Sequence, residues 1–150
     1  MRAVIQRVQN VSVEVNQHIH GAIKYGLLVL LGVEEADAKD DVSWLIRKIC
    51  RMRILNDENG VMNESILDQN ADVLVISQFT LHASTKKGNR PSYIRAARPQ
   101  TAEILYKNFI EALESETQRP VQSGVFGANM QVKFTNDGPV TILLDSKNPE

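Results

Sequence analysis

The chain has 150 residues and only one cysteine, Cys50, so no intrachain disulfide is possible. That scarcity suits a reducing compartment, and the cytoplasm is the expected location. Long hydrophobic runs are also missing. The strongest, Gly26-Leu27-Leu28-Val29-Leu30-Leu31-Gly32-Val33, falls far short of the roughly 20 residues that cross a bilayer. It reads as a buried strand closed by glycines, and no membrane association is expected. The start, Met1-Arg2-Ala3-Val4-Ile5-Gln6-Arg7, is strand-like and has no signal-peptide pattern. Neither sign of charge dominates: 17 basic and 18 acidic residues leave a net charge of −1. This excludes the strongly basic balance of an avid, general nucleic-acid binder. No glycine-rich phosphate loop, dinucleotide fingerprint or Gly-x-Ser-x-Gly elbow occurs, and no cofactor is expected. Of the three histidines, His18 and His20 share a strand face. No third ligand stands at a recognisable spacing, so they read as surface and no metal is expected.

What is there is patterned. Residues 2–8, 11–15, 18–23 and 26–33 alternate or run apolar, which predicts four strands, with turns at Asn16-Gln17 and Lys24-Tyr25-Gly26. Val42, Leu45, Ile46 and Ile49 fall on one face of a helix over 38–52. Acids in its first turn and Arg47, Lys48 and Arg51 near its end suit the helix dipole. Cys50 lies beside that apolar face and reads as core. A turn is expected at Asn56–Gly60 and a buried strand at 73–79. A second helix is expected from Pro99 to about Glu116. Two closing strands, about 124–135 and 139–145, flank Asn136-Asp137-Gly138-Pro139. Residues from about 146 to 150 read as a frayed tail. The order of elements predicts a single α+β domain over 1–150, with two main helices and a mainly antiparallel sheet.

Three segments could carry function. Ser77-Gln78-Phe79-Thr80 lies where an apolar strand runs out into a loop. It offers two hydroxyls, an amide and backbone N–H groups that could hold a carbonyl or an oxyanion. Such a tetrapeptide is also an ordinary polar strand end. Asn136-Asp137-Gly138-Pro139 is a turn, and an X-Pro bond adopts cis in about 5–6% of folded cases. Lys86, Lys87, Arg90, Arg95 and Arg98 form an acid-free basic segment, suited to phosphate contact or to plain solvation. His82 follows Thr80 by two residues. On an extended segment that spacing is about 7 Å, too far for a hydroxyl–histidine pair.

These motifs together resemble the D-aminoacyl-tRNA deacylase family. The resemblance rests on Ser77-Gln78-Phe79-Thr80-Leu81 and Asn136-Asp137-Gly138-Pro139-Val140-Thr141. Arg2–Val8, Gly26–Val33, Arg90-Pro91-Ser92 and Ala128–Val132 resemble it too, in order along almost the whole chain. Departures are local, around His82-Ala83-Ser84 and after Leu144. The resemblance implies a compact, β-rich, barrel-like fold and a homodimer. It implies hydrolysis of the ester of D-aminoacyl-tRNA and also of glycine mischarged on tRNA. Ser77, Gln78 and Thr80 would serve catalysis. Phe79, Phe126 and Met130 would line the pocket. Gly138-Pro139, in cis and fixed by Arg7, would reach the partner's site. Lys86, Lys87 and Arg90 are the expected RNA contacts. The rivals are an inactive nucleic-acid-binding module of the same fold, an editing hydrolase for an L-aminoacyl-tRNA, and a purely structural protein.

Overall fold

The computed structural model describes residues 1–149. Two long strands open the chain: β1 (Arg2–Val15) and β2 (His18–Gly32). Then follow α1 (Lys39–Arg51), the short strands β3 (Leu55–Asn56) and β4 (Met62–Glu64), and the one-turn helix α2 (Ile66–Gln69). β5 (Asp72–Ser77) leads into a 3-10 turn over Phe79–His82. α3 (Pro99–Thr117), β6 (Gln122–Ser123) and β7 (Gln131–Asp145) complete the chain.

The main sheet has the order β6-β5-β2-β1-β7. β1 pairs antiparallel with β2 and β7, whereas β2–β5 and β5–β6 are parallel. The expected α+β, β-rich class holds, with a more mixed sheet than alternation alone suggested. The reason lies in β2 and β5, which are buried on both faces. Leu27, Val29, Leu31, Val73 and Val75 join Ala3 and Ile5 in one core, covered by Leu45 and Ile49 of α1 and Phe109 and Leu113 of α3. Leu28, Leu74 and Ile76 join Val8, Val11 and Val13 in a second cluster, capped by Met130 and Val132. Continuous apolar runs are the signature of such two-sided, parallel strands. β1 serves both cores by alternation, Ala3 and Ile5 on one face and Val8 on the other. The change at Asn10, whose φ of 52° accompanies a register shift against β7 between Gln9 and Ser12, puts Val11 and Val13 on the side of Val8.

Four expectations need correction. The four early strands are two, since β2 continues through Lys24-Tyr25-Gly26 without turning. Gly26 is there for close approach: a Cβ would lie 1.9 Å from the Asp72 carbonyl oxygen, and its φ is +145°. The closing strands form one element, β7, which runs through Gly138-Pro139, and 124–130 is loop. The expected strand at 73–79 ends at Ser77, and Phe79–His82 is a tight turn rather than extended chain. The tail is anchored at its start. The Met1 ammonium donates to Ser146 Oγ at 2.8 Å, Ser146 Oγ donates to Asp41 at 2.6 Å, and Lys147 Nζ bonds Asp41 at 2.8 Å. Glu150 lies outside the described residues. No helix among the described residues is long and apolar enough to cross a membrane.

Candidate active site

β5 is pinned in the sheet by its apolar side chains, so its end is a fixed platform. At that end the Gln78 N–H donates to the Leu31 carbonyl at 2.7 Å and the chain turns into the 3-10 helix. The first N–H groups of a helix have no partner within it. Those of Phe79 and Thr80 therefore have no acceptor among the described backbone bonds. The Gln78 side-chain amide donates to Thr80 Oγ1 at 2.5 Å, which locks the two motif residues together.

A cleft of about 680 Å³ opens beside this turn. It brings together Ser77, Gln78, Phe79, Phe126 and Met130, all named from sequence. Thr80 does not line the cleft and is joined to it only through its bond to Gln78. Sequence reasoning missed the opposite wall, formed by Tyr93, Ala96, Ala97, Arg98 and Tyr106. Phe79 and Tyr93 meet edge to face, with ring centroids 5.0 Å apart. Tyr106 belongs to the buried face of α3, where helical spacing gives no sign of a role in the cleft. In fact its hydroxyl donates to the Val75 carbonyl at 2.9 Å while its ring lines the cleft. Burial pushes its pKa up to about 12, so it remains a neutral donor.

The wall is clamped to the end of β2. Ala97 N–H donates to the Val33 carbonyl at 2.9 Å, Arg95 reaches Glu34 at 3.3 Å, and Arg98 reaches Glu35 at 3.0 Å. This corrects the basic segment: Arg95 and Arg98 are paired with acids and serve the wall. Lys86, Lys87 and Arg90 sit apart on an exposed loop closed by the Ser84–Ser92 bridge, with no acidic partner within 4.0 Å among the described residues.

His82 is not poised beside Thr80. Its ring is buried against Gly32, with Nδ1 3.7 Å from Glu34. Burial lowers its pKa, outweighing the pull of Glu34, and it makes no hydrogen bond to Thr80. No general base therefore adjoins the threonine hydroxyl. Cys50 is buried and its thiol is pushed up to about 12, so it is inert as a nucleophile.

Arg7, Gly138 and Pro139 form a second constellation outside the cleft. The Gly138–Pro139 bond is cis and both residues are exposed. Arg7 is buried beneath them. It donates to the Asp137 carbonyl at 3.2 Å, the Ile54 carbonyl at 3.0 Å and Asn56 Oδ1 at 2.8 Å, and pairs with the Asp137 carboxylate at 3.0 Å. Gly138 has a φ of +120°, and a Cβ there would lie 2.8 Å from Arg7 Nη2. The bend therefore requires glycine.

The family model for D-Tyr-tRNA(Tyr) deacylase matches residues 4–145. A D-aminoacyl-tRNA deacylase of Flavobacterium johnsoniae is 56% identical over 150 residues, the whole of both chains. One of Bacteroides fragilis is 54% identical over the same span. Among solved structures, a c-Myc DNA unwinding element binding protein has a TM-score of 0.91 at 39% identity, covering 97% of this chain and 98% of its own. A probable eukaryotic D-amino acid tRNA deacylase shares the fold, with a TM-score of 0.81 at 16% identity over 95% of this chain and 97% of its own. On the length and level of these matches, the chain belongs to the D-Tyr-tRNA(Tyr) deacylase family.

Proposed function

We propose that this protein hydrolyses the ester of D-aminoacyl-tRNA, releasing the free D-amino acid and tRNA. The observation that carries the reading is the rigid Ser77–Thr80 turn at the mouth of a cleft, in a chain matched along its length by deacylases. An ester is already activated, so catalysis needs position and oxyanion stabilisation above all. The N–H groups of Phe79 and Thr80 supply the donors, while Gln78's own N–H is spent on Leu31. Thr80 Oγ1 accepts from the Gln78 amide and has no base beside it, so it orients groups rather than attacking. The vicinal hydroxyl of the terminal ribose helps activate water. Phe79, Phe126 and Met130 wall the adenosine end.

Selectivity needs a different device, because D- and L-esters carry the same groups. Exclusion of the L side chain by fixed backbone carbonyls separates them without a side-chain pocket. Gly138-Pro139 does this from the partner subunit of a homodimer. Its exposure, with Phe134 and Leu143 also exposed on β7, supports that reading. A filter of this kind admits many D-amino acids and passes glycine. Lys86, Lys87 and Arg90 contact tRNA phosphates, and the enzyme works in the cytoplasm, where charged tRNA is used. A nucleic-acid-binding role without catalysis is the second reading, favoured by the name of the 39%-identical neighbour. Side-by-side hydrolysis of matched D- and L-aminoacyl-tRNA separates the two.

A further inference from the structure

α1 and the segment after it carry a second basic stretch that the cleft does not use. From Val42 to Asn56 there are four cations, Arg47, Lys48, Arg51 and Arg53, and no acid. All four are exposed. A groove of about 560 Å³ runs along this face, lined by Trp44, Arg47, Lys48, Arg51 and Met52. Lys48 Nζ stands 5.7 Å from the centroid of the Trp44 ring.

The helix dipole accounts for only part of this. It favours Lys48 and Arg51 in the last turn. It does not call for Arg53 beyond the helix end or for a groove with an indole in it. Internal pairing absorbs only one of the four charges. Arg51 lies 3.5 Å from Glu116, and Arg53 bonds the neutral Asn63. Arg47 and Lys48 have no acid within 4.0 Å among the described residues. The position matters as much as the charge. The chain leaving α1 is tied to the Gly138-Pro139 bend by a single side chain, since Arg7 binds both the Ile54 and the Asp137 carbonyl.

We propose that this face of α1 is a phosphate-contact surface for the tRNA whose aminoacyl end occupies the partner subunit's cleft. The proposal rests on the deacylase and homodimer reading above. A protomer that sends Gly138-Pro139 into its partner's cleft brings with it the chain leaving α1, which Arg7 ties to that bend through the Ile54 and Asp137 carbonyls. RNA entering the cleft by its 3′ end passes its backbone along the rim, within reach of long Arg and Lys side chains. Cations beside a half-buried indole that lines a groove suit RNA: the charges meet phosphates and the open part of the ring meets a ribose or an unpaired base.

The test is binding of uncharged tRNA to the full-length protein across a salt series. Arg47→Glu with Lys48→Glu is compared with an equal charge change away from α1, Lys24→Glu on β2 with Lys107→Glu on α3. Each lost phosphate contact flattens the slope of log K against log salt by roughly 0.7–0.9. The α1 variant is therefore expected to lose about 1.4–1.8 of slope, and the control none. Equal slopes in the two variants, flattened or not, overturn the proposal. Should Glu disturb the fold, seen as a lowered Tm, Arg47→Gln with Lys48→Gln gives the same comparison. Because binding is read without hydrolysis, failure of the deacylase reading is seen separately, as inactivity of the wild type on D-Tyr-tRNA.

Discussion

Replacing Arg7 with alanine tests how the Gly138-Pro139 bend is held. The change removes three hydrogen bonds and an ion pair from a side chain that is only 6% exposed. It leaves the buried Ile54 carbonyl without that donor and the Asp137 carboxylate without its cation. Breaking a buried pair by deleting one member costs about 3–5 kcal/mol. The Asp137 carboxylate is 29% exposed and rehydrates in part, so the lower end, about 3 kcal/mol, is expected. A domain of ordinary stability survives that loss. Urea unfolding should show the lower midpoint, and the D/L ratio of kcat/KM should fall at least tenfold, about 1.4 kcal/mol, because the bend loses its fixed position. Arg7→Lys keeps the charge but not the fork, so it should recover part of the stability and little of the selectivity. A variant destabilised as expected, yet with an unchanged D/L ratio, would refute the link between Arg7 and chirality.

Further outcomes follow from the same geometry. Thr80→Ala should keep its rate within about tenfold, whereas a trapped acyl-enzyme in the wild type would restore Thr80 as nucleophile. Tyr106→Phe should cost about 1 kcal/mol in urea unfolding, because Gly124 N–H still reaches the Val75 carbonyl at 3.3 Å. Burial raises the Asp41 pKa, but bonds from Lys147, Ser146 and the Ala38 N–H outweigh it and bring it to about 2. Its folded pKa thus lies below the unfolded value, so its stabilisation is present above roughly pH 4 and lost as pH falls through about 2. Asp41→Asn should therefore cost about 2 kcal/mol at neutral pH and almost nothing near pH 2, measured by unfolding at both. Charge reversal at Lys86, Lys87 and Arg90 should weaken tRNA binding without altering D/L selectivity, and equal affinity would remove that loop from the RNA contacts.

Much of this architecture was legible from residues alone, and the exceptions share a cause. The helices were found because Val42, Leu45, Ile46 and Ile49, or Leu105, Phe109 and Leu113, bury one stripe. Gly26 was misread as a turn because local chemistry cannot distinguish a glycine that bends the chain from one that lets another backbone approach. The cleft floor, Ser77 to Phe79, was found from a strand end. Its far wall was not, because the segment that carries Tyr93 and Arg98 is held there by the pairs Arg95–Glu34 and Arg98–Glu35, with acids some 60 residues away. The anchored tail escaped for the same reason, since Ser146 and Lys147 find Asp41 only in three dimensions.

The most direct test of the central claim is hydrolysis of D-Tyr-tRNA and L-Tyr-tRNA side by side, with a metal chelator present. Rapid loss of the D-ester with the L-ester intact is the predicted result. Loss of both esters, or of neither, would contradict it.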